Sequence, residues 1–235
     1  VKPSLVGESG CGKTTLARAI TGLEAVASGD ILLEGRPLTA RRTPDERRQV
    51  QIVFQDPFSA LNPRMTVLDL VTEAAVLQGR VPRAGRAALA RSLLADVGLE
   101  GDILHRFPHA FSGGQRQRIC IARALSLEPR LLVCDEPVSA LDVSVQAQVI
   151  NLLLDLQRAR GLALLLISHD LAVVQHLAQR IAVMYGGRLM ETGTTAEIMD
   201  HPVHPYTQLL LEAVQRIGEP VRPSAASASG QQAAA

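Results

Sequence analysis

The chain has 235 residues, of which 47% are hydrophobic, so it can bury the core of one sizeable domain with an inserted subdomain. Its net charge is +1 and its basic residues are scattered, which argues against nucleic acid or an anionic membrane as a partner. Arg41-Arg42 and Arg47-Arg48 are expected to form a solvated face. No apolar run approaches membrane-spanning length. The cysteines, Cys11, Cys120 and Cys134, are odd in number and lack metal-ligand spacing, which indicates reduced thiols in a cytosolic compartment.

The first element with a chemical signature is a glycine-rich loop from Gly7 to Thr14, which fits the pattern G-x-x-x-x-G-K-[ST] and precedes a helix. Such a loop turns successive backbone N–H groups toward the phosphates of a nucleotide, at a helix N-terminus whose dipole favours anions. Lys13 is expected to reach the β- and γ-phosphates, and the Thr14 hydroxyl to bind Mg²⁺. Thr15 by itself is interpreted as a helix residue. A chance match occurs in roughly one per cent of chains of this length, so the loop alone does not decide the function.

Short β-branched or leucine-rich runs alternate with helical segments along the chain, which predicts an α/β domain with a mostly parallel sheet. The predicted strands are 30–33, 51–54, 131–134, 163–167, 181–184 and 188–191. Between residues 65 and 125 the apolar spacing is almost wholly helical, which predicts a helical subdomain, about residues 62–128, inserted between strands. We expect one domain over residues 1–221 and a disordered, low-complexity tail over residues 222–235.

Polar residues follow three of the predicted strands. Asp135 and Glu136 end an apolar strand, which suits Asp135 to hold Mg²⁺ through water and Glu136 to polarise an attacking water. Gln55 has a neutral amide, which can contact the water shell of the metal without holding a charge there. His169 is expected to face the γ-phosphate at the carboxyl edge of the sheet. Taken singly, the acidic pair could be a solvated turn, and Gln55 and His169 would more often be ordinary loop residues.

A second anion-binding helix start decides the class of protein. The turn comprises Ser112, Gly113, Gly114 and Gln115 and precedes a helix, so its hydroxyl and amide groups could also bind phosphate. Two such starts cannot easily serve one nucleotide within one chain, but two subunits could place the loop of one against the turn of the other. The run from Ser139 to Asp142 is then expected where the two halves meet.

In order and spacing these motifs resemble the Walker A, Q-loop, signature, Walker B, D-loop and switch-histidine motifs of the ATP-binding subunits of ATP-binding cassette (ABC) transporters. The runs 55–66, 137–146 and 204–210 are similar to the oligopeptide, dipeptide and nickel importer branch. The resemblance implies three groups of site residues. They are catalytic Glu136, His169 and Gln55; nucleotide-binding Gly7, Ser9, Gly10, Cys11, Gly12, Lys13, Thr14, Thr15, Ser112, Gly113, Gly114, Gln115 and Asp142; and metal-binding Thr14, Gln55 and Asp135.

The resemblance also implies what the protein does and with what. It implies a P-loop NTPase fold with a RecA-like core, and an ATP hydrolase that uses ATP and Mg²⁺ to power uptake of peptides or a related solute such as nickel. The implied partners are a second ATP-binding subunit, identical or not, two membrane-spanning permease subunits, which the segment from Gln55 to Arg64 would contact, and indirectly an extracytoplasmic solute-binding protein, without nucleic acid. The implied location is peripheral, on the cytoplasmic face of the inner membrane.

Two departures from the family pattern stand out. Phe111 replaces the usual leucine of the signature, and the strands and adenine-stacking aromatic residue that precede the phosphate-binding loop in the family are not visible. Some members carry a C-terminal cysteine cluster resembling an iron–sulfur site, which we do not expect here, since no cysteine follows Cys134. Two alternatives stay open. They are an ABC-like subunit of a soluble metabolic complex, of the carbon–phosphorus lyase type, and an N-terminally truncated fragment of a tandem cassette.

Overall fold

The fold is built on a mostly parallel sheet, and the structure, a computed structural model, describes residues 2–218, with side chains to residue 213. The strands are β1 (Pro3–Val6), β2 (Leu32–Leu33), β3 (Arg36–Pro37), β4 (Val50–Val53), β5 (Leu131–Asp135), β6 (Ala163–Ser168), β7 (Arg180–Tyr185) and β8 (Arg188–Thr194). Six of them form one sheet in the order β4-β5-β6-β1-β7-β8, and β2 and β3 form a separate antiparallel pair. Within the large sheet only β8 runs antiparallel to its neighbour.

Helices connect the strands. They are α1 (Lys13–Thr21), α2 (Pro44–Gln49), α3 (Pro57–Ala60), α4 (Val67–Leu77), α5 (Arg86–Asp96), α6 (Gly113–Leu125), α7 (Val143–Arg160), α8 (Leu171–Leu177), α9 (Thr195–Asp200) and α10 (Pro205–Gly218), with short 3₁₀ turns at Arg83–Gly85 and Pro108–Ala110. Helices α3 to α6 lie between β4 and β5, and their buried side chains, Val71, Leu94 and Ile119 among them, belong to one hydrophobic cluster. The α/β class predicted from the sequence is confirmed.

Most predicted strands coincide with observed ones, and the exceptions have local reasons. The predictions at 51–54, 131–134, 163–167, 181–184 and 188–191 fall on β4 to β8. The prediction at 30–33 is too long, because only Leu32 and Leu33 pair. Strand β1 was not predicted. It has four residues and begins with a proline, which is tolerated at the first position of a strand, and its pairing with β6 and β7 comes from distant parts of the chain. The predicted tail at residues 222–235 lies outside the described residues.

The expectation of a solvated face is wrong for Arg42, which is 6% exposed. Its guanidinium donates hydrogen bonds to the carbonyls of Ala19 and Ile20, at 3.2 and 3.4 Å, at the last turn of α1. A cation is favourable there because the last carbonyls of a helix lack intrahelical partners and carry the negative end of the helix dipole. Arg42 therefore stabilises the helix that follows the glycine-rich loop.

Candidate nucleotide-binding and catalytic site

The glycine-rich loop joins the central strand β1 to α1. Gly12 stands at the start of α1 with φ 107°, a left-handed conformation that glycine adopts without strain, and no side chain caps the helix there. Lys13 is buried, and its Nζ donates hydrogen bonds to the carbonyls of Gly7 and Glu8, both at 2.8 Å. Within residues 2–218, the N–H groups of residues 12–15 donate to no protein acceptor. Free helix-terminal donors beside a lysine fit an anionic phosphate.

Gly7 allows the loop to pass very close to β7. A Cβ atom built at Gly7 would lie 2.2 Å from the carbonyl oxygen of Met184, which is backbone and cannot rotate away. We expect Gly7→Ala to lower the free energy of unfolding by about 2–3 kcal/mol, the range typical of a steric clash in a packed region. Chemical denaturation measures this.

The control is Gly10→Ala in the same loop, where an added Cβ would meet no atom within 4 Å. Gly10 has φ 81°, so this variant carries only the cost of a left-handed alanine, about 1–2 kcal/mol. Equal stabilities for the two variants would contradict the close approach to Met184.

The structure brings the three predicted catalytic residues into direct contact. Gln55 Nε2 donates a hydrogen bond to Glu136 Oε2 at 2.8 Å, and His169 Nδ1 lies 3.1 Å from Glu136 Oε1. The Glu136 side chain is 14% exposed, whereas that of His169 is 57% exposed. Each residue follows one of three adjacent parallel strands, β4, β5 and β6, so the contact arises from the order of the strands. A carboxylate held on both oxygens is well placed to accept a proton from a water molecule.

Glu136 also has an unusual backbone conformation. Its φ is +48°, in the left-handed region that costs a non-glycine residue about 1–2 kcal/mol. Its N–H donates to the carbonyl of Ile167 at 2.9 Å, so the bond to β6 holds the residue at the end of β5. This turn carries the carboxylate out of the strand toward Gln55 and His169.

Asp135 and Thr14 provide hard oxygen atoms next to the loop. Asp135 is 3% exposed, its Oδ1 has no hydrogen-bond partner among the described residues, and its carboxylate interacts with the Thr14 side chain. Both residues line a cavity of about 470 Å³ together with Gln55, which unites the three predicted metal-binding residues. An orphaned carboxylate oxygen beside a hydroxyl fits Mg²⁺, which prefers such ligands and keeps part of its water shell.

Burial raises the pKa of the Asp135 carboxyl above its ordinary value, and the negative charge of Glu136 raises it further. The hydrogen bond from Thr14 and the positive charges of Lys13 and Arg18 act in the opposite direction without cancelling the effect of burial. Burial therefore disfavours the ionised form of this carboxyl, and a divalent cation bound to it would favour that form.

Asp135→Asn should accordingly stabilise the nucleotide-free chain at neutral pH. A carboxyl whose pKa is raised by folding contributes to the stability of the fold at a pH below its pKa in the unfolded chain, about 3.8. This contribution is lost as the pH rises through its pKa in the folded chain. We expect the variant to melt at a higher temperature than the wild type at pH 7, and the difference to shrink as the pH falls toward 4. Thermal unfolding across this pH range is the measurement. Asp102→Asn, which changes an exposed carboxyl, is the control; a lower melting temperature for Asp135→Asn at pH 7 would contradict the interpretation.

The serine-glycine turn starts α6 as predicted, and it is closed by its own side chains. The Ser112 hydroxyl accepts from the Gln115 N–H at 3.4 Å, and Gln115 Oε1 accepts from the Ser112 N–H at 3.1 Å. A Cβ at Gly114 would lie 2.4 Å from Val145 Cγ1, so the turn packs directly on the start of α7. Ser112 and Gln115 remain exposed, as does Asp142 at the N-terminus of α7.

The structure thus forms two separate groups of predicted site residues. One combines the glycine-rich loop, the carboxylates, Gln55 and His169. The other combines the serine-glycine turn with the start of α7. Arg18 and Arg123, which line the same cavity as Asp135, were not predicted. Arg18 could have been found from its position one helical turn after Thr14, since residues i and i+4 share a face. Arg123 could not have been found this way, because only the packing of α6 brings it there.

Residues 2–218 include no helix that is both long enough and apolar enough to cross a membrane.

Comparison with known proteins identifies the family. The family model for ABC transporters matches residues 2–139, and the model for the C-terminal region of oligopeptide and dipeptide transporters matches residues 190–235. The chain is 50% identical over 217 residues to the oligopeptide transport ATP-binding protein OppF of Escherichia coli K12, covering 89% of this chain but 64% of that protein. The chain therefore spans about two thirds of the length of this relative.

Two solved structures share the fold. The chain superposes on cbiO1 of Clostridium perfringens, part of the ABC transporter complex cbiONQ, with a TM-score of 0.76 and 28% identity, covering 92% of this chain and 86% of that one. It superposes on the ATP-binding cassette MJ0796, a dimer bound to ADP and phosphate in a post-hydrolysis state, with a TM-score of 0.71 and 27% identity, covering 82% and 84%. Because the ABC transporter model matches more than half of the chain and solved ATP-binding cassettes share its fold, the chain belongs to the ABC transporter family.

Proposed function

We propose that the chain binds ATP with Mg²⁺ and hydrolyses it. The single observation that carries this proposal is the contact of Gln55 and His169 with the two oxygens of Glu136, beside the phosphate-binding loop. In the proposed site, Lys13 and the N–H groups of residues 12–15 bind the phosphates. Thr14, Asp135 and Gln55 hold Mg²⁺, which supplies charge neutralisation at the β- and γ-phosphates when bound. These residues occupy one domain, proposed as residues 1–221 with a helical subdomain at about 62–128.

In the proposed reaction Glu136 acts as the general base. Its carboxylate accepts a proton from the water that attacks the γ-phosphate. Gln55 fixes one carboxylate oxygen by donating a hydrogen bond, and His169 contacts the other. The protein therefore contributes positioning and charge, which is where most catalysis of phosphoryl transfer arises.

The serine-glycine turn, comprising residues 112–115, is proposed to act on the nucleotide of a second subunit. Its exposed Ser112 and its glycine amides make a helix start that can bind anions, and within the described chain the Ser112 hydroxyl bonds only to the N–H of Gln115, inside the turn. The dimeric state of the related cassette MJ0796 supports this arrangement. In the proposed dimer, Asp142 lies near the shared boundary, and ATP bound between the subunits links them.

We further propose that hydrolysis powers peptide uptake. The likeness to OppF of Escherichia coli and to the C-terminal region of oligopeptide and dipeptide transporters supports this substrate class over nickel. Two permease subunits would contact the surface around residues 55–64, where Phe58 is 56% exposed and Arg116 lies 4.0 Å above its ring. The chain would then be peripheral on the cytoplasmic face of the inner membrane, with an extracytoplasmic solute-binding protein as an indirect partner and with no nucleic acid.

Capture of the tagged chain from detergent-solubilised membranes of its source tests the transport proposal. Recovery of membrane-spanning subunits together with a second ATP-binding subunit, and ATP turnover by that complex, is the expected result. Recovery of soluble enzyme subunits instead would support the rival assignment to a metabolic complex. Phe58→Ala, which removes an exposed ring at the proposed contact, should reduce recovery of the permease without changing ATP binding, whereas Leu189→Ala, at the far edge of the sheet, should not.

A further inference from the structure

Residues from the C-terminal part of the chain contact the phosphate-binding loop. Tyr206, at the start of α10, accepts a hydrogen bond through its hydroxyl from the N–H of Glu8, at 3.3 Å. The N–H of Gly187, in the turn between β7 and β8, donates to the carbonyl of Cys11 at 2.9 Å. The loop is therefore supported by residues that follow it by more than 170 positions.

The contact with Tyr206 acts on a peptide unit that also binds Lys13. The carbonyl of Gly7 accepts from Lys13 Nζ at 2.8 Å, and the N–H of the same peptide, which belongs to Glu8, donates to Tyr206. One end of the peptide thus faces the lysine and the other faces the tyrosine. Rotation of this peptide would remove the lysine's buried acceptor, so Tyr206 helps to set the position of Lys13.

Tyr206 is itself held in place by neighbouring groups. Its ring centroid lies 4.4 Å from that of Tyr185 with the planes tilted by 40°, and its N–H donates to His204 Nδ1 at 3.1 Å. The carboxylate of Glu191 accepts from the N–H of His204 at 3.0 Å, which fixes the turn before α10. Burial also raises the pKa of the Tyr206 hydroxyl above its ordinary value. These contacts hold the side chain with its hydroxyl directed at the loop.

We propose that Tyr206 is a positioning residue for the phosphate-binding loop, and that it couples the position of α10 to the binding of MgATP by that loop. The proposal rests on the proposed function of the loop. A loop already held in its binding conformation loses less entropy when the nucleotide binds, which increases affinity. Coupling of this kind is reciprocal, so bound MgATP should in turn steady the start of α10.

Tyr206→Phe tests the proposal because it removes the hydroxyl and keeps the ring. We expect the Kd for MgATP to rise about threefold to tenfold, the worth of one neutral hydrogen bond, and the melting temperature of the chain without nucleotide to fall by no more than about 2–4 °C. The matched control is Tyr185→Phe in the same ring pair. Tyr185 is 49% exposed, and its hydroxyl bonds to no other described residue, so this variant should bind MgATP as the wild type does.

Hydrogen exchange gives a readout that a purely structural role would not change. In the wild type, MgATP should slow amide exchange at residues 205–210, and in Tyr206→Phe this slowing should be lost. An unchanged Kd for Tyr206→Phe, or an equal loss in both tyrosine variants, would overturn this proposal alone. If Tyr206→Phe does not fold, absence of the slowing in the wild type overturns it. Failure of the wild type to bind MgATP would overturn the proposed function, and this proposal with it.

Discussion

Glu136→Gln should lower the rate of ATP hydrolysis by about 10²- to 10⁴-fold, the usual contribution of a general base, while MgATP still binds. The amide of glutamine fills the same space and can still contact Gln55 and His169, but it cannot accept the proton of the attacking water. Because the reaction stops after binding, MgATP should accumulate on the variant. Phosphate release at saturating MgATP measures the rate, and a separate binding titration measures the affinity.

The matched control is Glu128→Gln. Glu128 shares the left-handed backbone of Glu136, with φ 52° against 48°, but it lies at the surface in an ion pair with Arg80. Its substitution should leave turnover within about twofold of the wild type, since exposed ion pairs contribute little to the stability of the fold. Turnover by Glu136→Gln equal to that of this control would remove Glu136 from its proposed role and leave His169 as the candidate base.

The second large effect concerns Lys13. Lys13→Ala should weaken MgATP binding by about 10²-fold, because a charged donor is lost from a site that must hold a polyanion. The side chain is buried and already directed into the loop by the carbonyls of Gly7 and Glu8, so its charge is held at the loop. Equilibrium titration with a fluorescent ATP analogue would give the change in Kd.

Lys2→Ala is the appropriate comparison, since Lys2 is the other lysine of the chain and lies before β1. It removes the same charge outside the loop, so binding should stay within about twofold at physiological salt, where distant surface charges are screened. If Lys13→Ala bound MgATP with undiminished affinity, the loop would not be the phosphate site. A change in melting temperature would show whether the loss of affinity comes from unfolding of the loop.

The sequence predicts the site better than it predicts the contacts within it. Gln55, Glu136 and His169 each stand after an apolar strand, which is a local signal. Their mutual contact depends on β4, β5 and β6 being neighbours, and the order of strands in a sheet follows from the packing of the whole chain. Gln55 and Glu136 are 81 positions apart, and no pattern in the intervening sequence indicates that the two residues are in contact.

The features that were not predicted are those held by distant partners. Strand β1 has only four residues and a leading proline, and it is a strand because β6 and β7 supply hydrogen bonds on both sides. Arginine is usually a surface residue, but Arg42 is buried, with its guanidinium bonded to carbonyls at the end of α1. Tyr206 stands 198 positions from Glu8, so only the fold brings the two together. Local periodicity contains no information on such contacts.

The most direct test of the account is the molar mass of Glu136→Gln in solution with and without MgATP, measured by light scattering. The account predicts that MgATP doubles the mass, because the phosphate-binding loop of one chain and the serine-glycine turn of another bind the same nucleotide. Omission of Mg²⁺, or Lys13→Ala in the same background, should prevent the doubling. A mass that stays that of a single chain at MgATP concentrations that saturate binding would contradict the shared site.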